Sequence, residues 1–288
     1  MDLLNKIIEF FIALLMALGI STGADDKLVS DTDTAKVAET TLTVHCIDVG
    51  QADSTYIKLP NGENMLIDAG ESGDAQLVAD YLDKQGVSRL DYVVGTHPHA
   101  DHIGGMAYVV NNFDIGIFYM PDAYSNTKTF ESLLDALEDK AVDVRQAKSG
   151  VSILKADELS IELLSPVSAE YDETNDYSAV VRIEYGDTSF LFMGDAEKLV
   201  EQELLDMGAQ LQSDVLRVGH HGSSTSSSKA FIREVNPSLA VISVGKDNSY
   251  GHPHSETLSL LKERDTTILR TDKLGTVVIG SNGKDIVY

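Results

Sequence analysis

The sequence THPHADHIGG, residues 96–105, places three histidines and one aspartate within six positions. One residue separates His97 from His99, so both imidazoles can turn toward one point, while Asp101 and His102 can face a second point nearby. Imidazole and carboxylate groups are ligands that zinc, manganese and iron accept in proteins. One short segment can therefore supply the first ligands of two metal sites.

The remaining histidines are also unevenly distributed. Of the eight in the chain, His45 lies in a predicted strand, and the others fall in the clusters THPHADH, GHHGS (219–223) and YGHPH (250–254). Each cluster directly follows a predicted strand. Because α/β scaffolds carry reactive groups on loops at strand ends, the three clusters predict one site assembled from distant parts of the chain.

Strand-like and helix-like segments alternate from Thr41 onward. Three strand-like segments (41–49, 54–60 and 65–70) precede an amphipathic helical segment that ends at Gly86. A similar succession fills the second half and closes with a hairpin around Asn282–Gly283. Two such halves predict two sheets packed face to face with helices outside, an α/β fold of the four-layer αββα type, although a mixed single sheet gives a similar alternation.

The first 40 residues differ from the rest. Residues 7–20 are apolar except for Glu9 and precede the small residues STGA, a pattern typical of an exported protein. We predict a signal peptide or N-terminal anchor over residues 1–24, with an amphipathic helix as the alternative, and an acidic flexible spacer over residues 25–40. The domain would then be residues 41–288. We expect a secreted or cell-surface protein without a stable membrane span after signal removal.

Charge and cysteine content restrict the function. The chain has 22 basic and 46 acidic residues, a formal net charge of -24, which opposes unassisted binding to a polyanion such as DNA. A phosphate substrate would have to be met by a local cation. Cys46 is the only cysteine, which excludes an intramolecular disulfide and a thiolate-rich metal site.

The HxHxDH pattern of residues 97–102 resembles the signature of metallo-β-lactamase-fold hydrolases. Further segments resemble, in order, the hydrolase domain of ComEC-type competence proteins and their stand-alone secreted relatives: DVGQADS (48–54), NDYSAVVRI (175–183), FMGDAE (192–197), VGHHGSSTSSS (218–228) and YGHPHSETL (250–258). The resemblance runs from about Thr41 to the C-terminus. It implies the αββα fold and a dinuclear centre holding two divalent ions, Zn²⁺ or Mn²⁺.

The resemblance also implies roles for single residues. The first metal would take His97 and His99, the second would take Asp101 and His102, and Asp195 would bridge both unless it only caps a helix. The second metal's set would be completed by His220, with His221 as the alternative. Asp68 would support the ligands through hydrogen bonds.

One superfamily feature is missing. Many members have another first-metal histidine before the bridging aspartate, whereas this chain has no histidine from 103 to 219. Asn175 and Asp176 stand in about that place, where a side-chain oxygen or solvent could fill the position, or they could form an ordinary turn. A nitrogen-poor first site favours manganese or a weakly held zinc.

The expected chemistry is hydrolysis. Two cations would activate a bridging water and neutralise phosphate oxygens. We place Asp101, Asp195 and His252 at the reacting groups; at the rim, His252 or His254 could donate a hydrogen bond to phosphate or protonate the leaving oxygen, or both could be exposed in a turn. Residues 223–225 could bind an anion at a helix start or cap that helix.

The leading interpretation is a phosphodiesterase, with extracellular DNA as one candidate substrate. The alternatives are a hydrolase of a small or wall-linked ester, such as a phosphocholine ester or a lactone, and a non-catalytic surface-binding protein. The sequence identifies no protein partner.

Overall fold

The computed structural model describes residues 41–288. The predicted signal peptide or anchor and the acidic spacer therefore lie outside the described residues. Among residues 41–288, no helix is long and apolar enough to cross a membrane.

The strands in chain order are β1 (Leu42–Cys46), β2 (Ser54–Lys58), β3 (Asn64–Ala69), β4 (Arg89–Val94), β5 (Asp114–Met120), β6 (Asp143–Gln146), β7 (Val151–Lys155), β8 (Leu159–Leu163), β9 (Val181–Tyr185), β10 (Thr188–Phe192), β11 (Val215–Arg217), β12 (Leu239–Ile242), β13 (Thr267–Arg270), β14 (Val277–Ser281) and β15 (Ile286–Val287). One sheet has the order β15-β14-β1-β2-β3-β4-β5-β6, and the other has the order β13-β12-β11-β10-β9-β8-β7.

The α-helices are α1 (Ala75–Lys84), α2 (Ala100–Ile103), α3 (Met106–Asn112), α4 (Lys128–Asp139), α5 (Lys198–Asp206), α6 (Lys229–Val235), α7 (Ser255–Lys262) and α8 (Thr271–Leu274). The sequence predicts one helix over residues 103–113, whereas α2 ends at Ile103 and α3 begins at Met106. The break falls at Gly104–Gly105, because a Cβ at Gly105 would collide with the carbonyl oxygen of Ala69 at the end of β3.

Three apolar clusters separate four layers. Adjacent strand residues point to opposite faces, so Phe190 of β10 packs between the two sheets, while its neighbour Leu191 packs against helices that include α5 and α6. In the other sheet, Ile67 of β3 faces the inter-sheet core and Leu66 faces α1, α3 and α4. The αββα sandwich is confirmed.

Parallel pairing of the strands brings the three histidine clusters to the same edge of the sheets. β3 and β4 are parallel in the first sheet, and β10, β11 and β12 are parallel in the second. The carboxyl ends of parallel neighbours lie at the same edge, which is where ligands bind in α/β sheets. The loops after these strands carry all three clusters.

Candidate metal centre

The loop after β4 is fixed by Asp68, the penultimate residue of β3. Thr96 donates two hydrogen bonds to this carboxylate, from its backbone N–H to Oδ1 at 2.9 Å and from its hydroxyl to Oδ2 at 2.7 Å. Asp68 Oδ2 also accepts a hydrogen bond from Nδ1 of His102 at 2.7 Å. This carboxylate therefore orients His102 and holds the start of the segment that carries it.

His102 belongs to a cluster of four potential ligands, Asp101, His102, Asp195 and His221, whose ligand atoms all lie within 4.8 Å of one another. Asp101 is half-buried and the other three are buried, and we call this group the buried cluster. His102 Nε2 is 3.2 Å from Asp195 Oδ1, and His221 Nε2 is 3.3 Å from Asp101 Oδ2. Nδ1 of His221 faces the carbonyl oxygen of Ser243 at 3.0 Å. Donation from Nδ1 to that oxygen leaves the Nε2 lone pair directed at the buried cluster.

His220, which the sequence favoured over His221, lies outside the buried cluster. Its Nδ1 is 3.0 Å from Oε1 of Glu197, and its Nε2 is 3.7 Å from Asp195 Oδ2. His220 and His221 both have left-handed backbone angles, with φ of 48° and 51°. The imidazoles therefore diverge, with planes 67° apart, and only His221 reaches Asp101. The geometry thus reverses the sequence-based preference.

The buried cluster fits a divalent cation. His102 Nε2 and Asp195 Oδ1 are buried and have no hydrogen-bond partner among the described residues. Such atoms are costly unless something else satisfies them. Two ligand atoms about 2.1 Å from one tetrahedral or octahedral ion lie roughly 3 to 3.5 Å apart, close to the separations within the cluster. A cation among these groups would satisfy both atoms.

The charges of the cluster are coupled. Burial would raise the pKa of Asp195, but His102 and His221 hold this pKa well below its usual range. Burial would lower the pKa of His102, but Asp195 and Asp68 hold it well above its usual range. A cation that binds at Nε2 must displace the proton there, so binding is linked to pH.

His97 and His99 form a separate pair, the His97–His99 pair. Nε2 of His97 lies 3.0 Å from Nδ1 of His99, so both nitrogens converge on one point. Nδ1 of His97 is supported only by hydroxyls, Thr96 Oγ1 at 3.1 Å and Ser178 Oγ at 3.3 Å. His97 is buried and His99 is exposed. Among the described residues, no third His, Cys, Asp or Glu forms a group with both within 4.8 Å.

Asn175 and Asp176 lie in a 3₁₀ turn, Thr174–Tyr177. Asn175 donates from Nδ2 to Glu197 Oε1 at 3.2 Å, and this Nδ2 is 3.5 Å from Nδ1 of His220. Burial raises the pKa of Asp176. Each of the two side chains has a buried oxygen without a hydrogen-bond partner in the described chain. The turn therefore borders the side of the centre where His220 lies.

The rim histidines are held by backbone and amide groups. Nδ1 of His254 accepts a 2.8 Å hydrogen bond from the backbone N–H of Ser224, so its proton is on Nε2. Nδ1 of His252 is 3.4 Å from Nε2 of Gln51, whose Oε1 accepts a hydrogen bond from the backbone N–H of Gly245 at 3.0 Å. Burial, followed by the neighbouring His220 and His221, lowers the pKa of His252 to about 4. His252 is thus neutral near pH 7.

The expected helix start at residues 223–225 is wrong, since α6 begins at Lys229 with Ser228 as its cap. The hydroxyl of Thr225 instead lies 2.9 Å from Glu197 Oε1 and 3.1 Å from Nδ1 of His220. A run of serines is typical of a helix cap, and only the tertiary contacts show that residues 223–225 form a loop beside Glu197 and His220 instead.

Three supporting groups escaped the sequence reasoning: Glu197, Gln51 and the buried ion pair of Asp53 with Arg217. Arg217 also donates to the carbonyl oxygen of Val218 at 2.7 Å, just before the two histidines. Asp53 and Gln51 belong to the segment DVGQADS and Glu197 to FMGDAE, so the resemblance contained the signal, but spacing alone assigned no partner to any of them.

An acidic groove of about 730 Å³ includes Tyr177, the last residue of the Thr174–Tyr177 turn. Its ten lining residues are Asp122, Tyr124, Ser168, Ala169, Glu170, Tyr171, Asp172, Tyr177, Leu199 and Glu203. These include three tyrosines and four carboxylates but no lysine or arginine. None of the buried cluster lines it. Tyr177 of the groove belongs to the same 3₁₀ turn as Asn175, which contacts Glu197.

Comparisons with known proteins agree with this geometry. A family model described as "Metallo-beta-lactamase superfamily" matches residues 47–246. The chain belongs to the metallo-β-lactamase superfamily. Membership supports a hydrolase of the metallo-β-lactamase fold and implies divalent metal ions, for which the buried cluster is a candidate ligand set.

Curated relatives of this metallo-β-lactamase-fold chain are competence proteins. ComE operon protein 3 of Bacillus subtilis (strain 168) is 32% identical over 252 residues, 81% of this chain and 32% of that protein. Competence protein ComA of Neisseria gonorrhoeae is 31% identical over 247 residues, 85% of this chain and 33% of that protein. The chain spans about a third of the length of these relatives. The ComEC-like resemblance is confirmed.

Solved structures show the same fold. The metallo-β-lactamase-fold protein YhfI from Bacillus subtilis has a TM-score of 0.54 at 12% identity, covering 82% of this chain and 98% of that one. CmlA, a diiron β-hydroxylase from Streptomyces venezuelae, has a TM-score of 0.56 at 14% identity, covering 84% of this chain and 54% of that one. At these identities the likeness concerns the fold alone.

Proposed function

We propose that the protein is a phosphodiesterase that uses a dinuclear metal centre. The observation that carries this proposal is the buried cluster, in which His102 Nε2 and Asp195 Oδ1 face each other without another partner. The cluster suits a divalent cation, because its two carboxylates, Asp101 and Asp195, supply negative charge and its two imidazoles supply neutral nitrogen ligands. A non-catalytic binding protein would have no need to keep these groups buried and aligned.

Different residues of the chain are assigned to the two ions and to the substrate. We assign the His97–His99 pair to one ion, the buried cluster to the other, and Asp195 to both. Two divalent ions, when bound, supply Lewis acidity to a phosphate ester and lower the pKa of water. In our proposal His252 receives a hydrogen bond from Gln51 at Nδ1 and donates from Nε2 to a phosphate oxygen. With a pKa of about 4 it is a neutral hydrogen-bond donor at pH 7 and does not act as an acid.

The acidic groove favours a second candidate, hydrolysis of a small ester instead of DNA. Its four carboxylates and the formal charge of -24 both repel a polyanion. DNA remains a candidate substrate because the relatives of this chain include competence proteins. A phosphocholine ester or a lactone makes no demand for an extended cationic surface.

The test uses the full chain loaded with Zn²⁺ or Mn²⁺. We expect hydrolysis of bis-p-nitrophenyl phosphate that is abolished by chelation and restored by metal. Linear and circular DNA, a phosphocholine ester and a lactone are then compared by kcat/KM, with Asp195→Asn as the inactive control. Absence of phosphodiester cleavage by fully loaded protein would overturn the phosphodiesterase proposal, and lactone cleavage alone would favour the small-ester candidate.

A further inference from the structure

The two carboxylate oxygens of Asp195 face different histidines. Oδ1 lies 3.2 Å from His102 Nε2 and 3.8 Å from His221 Nε2, whereas Oδ2 lies 3.7 Å from His220 Nε2. A carboxylate that bridges two cations gives one oxygen to each. If Oδ1 serves the ion of the buried cluster, then Oδ2 and His220 lie on the side of the other ion.

The second nitrogen of His220 is anchored as in a metal ligand. Its Nδ1 is 3.0 Å from Glu197 Oε1, an oxygen that also accepts hydrogen bonds from Asn175 Nδ2 and the Thr225 hydroxyl. Metal-binding histidines usually donate their other N–H to a carboxylate or a carbonyl oxygen. His102 has this arrangement with Asp68. In both residues the anchor directs Nε2 toward Asp195.

The backbone supports the same assignment. His220 and His221 occupy the left-handed region consecutively, which is unfavourable for non-glycine residues. If this loop supplied a single metal ligand, only one of the two residues would need the left-handed conformation that turns its imidazole toward Asp195. The consecutive left-handed residues point one imidazole to each oxygen of Asp195.

We propose that His220 supplies the third nitrogen of the first metal, together with the His97–His99 pair, while His221 binds the second metal. The inference rests on the proposed dinuclear centre and deepens it. His220 would then replace the superfamily histidine that is absent between 103 and 219. Among the described residues, no third potential ligand forms a group with His97 and His99 within 4.8 Å, so the side chains of this site would have to move closer together to hold an ion.

This assignment changes the expected metal. A first site with a side-chain oxygen favours manganese, whereas three imidazoles favour zinc. Asn175 then supports Glu197 and is not itself a ligand.

The test counts metal ions, so that it does not depend on activity. The full chain and its variants are dialysed to equilibrium against Zn²⁺, and bound metal per chain is measured by mass spectrometry. Asparagine tolerates the left-handed region, so His220→Asn and His221→Asn form a matched pair, and circular dichroism verifies that each variant is folded. His252→Asn, whose ring is 5.5 Å from that of His220, is the control expected to keep both ions.

We expect two ions in the wild-type chain and one in each of His99→Asn, His220→Asn and His221→Asn. The double variants decide the pairing. His99→Asn with His220→Asn should keep one ion, because both changes affect the same site, whereas His99→Asn with His221→Asn should keep none. Glu197→Gln should weaken only the first ion, by about 10- to 100-fold.

Two results would overturn the role of His220 while leaving the dinuclear centre intact. In one, His220→Asn keeps two ions; in the other, His99→Asn with His220→Asn loses both ions and the alternative double variant keeps one. A wild-type chain that binds fewer than two ions would instead refute the proposed centre, and the inference with it.

Discussion

The two sides of the centre are built differently. In the buried cluster, His102 is anchored by a carboxylate and His221 faces a backbone carbonyl oxygen, and their Nε2 atoms both face Asp195. In the His97–His99 pair, Nδ1 of His97 contacts only hydroxyls, and His99 is exposed. Charge-assisted hydrogen bonds are roughly twice as strong as neutral ones. The comparison therefore indicates one preorganised site and one that completes itself on binding.

The largest effect should come from the residue shared by both sides. Asp195→Asn keeps the size of the side chain but removes the charge that both ions need, so we expect kcat/KM to fall on the order of 1000-fold, several kcal/mol of transition-state stabilisation. Steady-state kinetics on a small phosphodiester, with a thermal melt to verify folding, measures this. Turnover near the wild-type value would contradict the bridging role.

Removing one hydrogen-bonding partner from a histidine on each side should lower the affinity for the two ions to different extents. Asp68→Asn takes the charged anchor from His102 and should weaken the second ion by about 10- to 100-fold. Ser178→Ala removes a hydroxyl 3.3 Å from His97 Nδ1 and should weaken the first ion by less than about tenfold. Competition with a chromophoric chelator gives both constants. Equal losses would mean that the two sides are supported equally.

Acidification should also distinguish the sides. The pKa of His102 is held well above its usual range by Asp195 and Asp68 against the effect of burial, so metal must displace a proton, and protons compete with the metal more strongly as the pH falls. Burial and the neighbouring His102 lower the pKa of His97 well below its usual range, so this ring is already deprotonated near pH 7. Between about pH 8 and pH 6, the second ion should weaken by up to about tenfold per pH unit, and the first much less. Chelator titrations at each pH measure the two affinities. An equal loss of affinity for both ions on acidification would contradict this prediction.

A histidine away from the centre should have the smallest effect on metal binding and serves as a reference. Burial, followed by Lys58, lowers the pKa of His45 to about 4, and its ring nitrogens contact the hydroxyls of Tyr81 and Thr43. Below about pH 6.5 the unfolded chain takes up this proton first, so stability is lost as the pH falls toward 4, by at most about 3 kcal/mol.

His45→Gln should remove that part of the pH dependence and leave metal content unchanged. Urea unfolding of the two chains at pH 7 and pH 4.5 measures the difference. If the two chains lost stability equally on acidification, the pKa of His45 would not be the cause.

Local spacing places the candidate ligands on neighbouring loops, and contacts between distant parts of the chain distinguish among them. The HxHxDH pattern and the positions of the histidines at strand ends identified the edge of the sheets, since both depend on neighbouring residues. The choice between His220 and His221 depended on the left-handed backbone of both residues, which turns their rings apart and which their neighbours do not specify. Gln51 and His252 are 201 residues apart, and no spacing rule connects them.

The acidic groove has a consequence for how fast a substrate arrives. Most nucleic-acid enzymes associate more slowly as salt is added, because screening removes an attraction. Here added salt would screen the repulsion between four groove carboxylates and a phosphate chain, so the association rate of DNA should rise with ionic strength while that of an uncharged ester stays nearly constant. The ionic strength at which the protein works would then help to select its substrate.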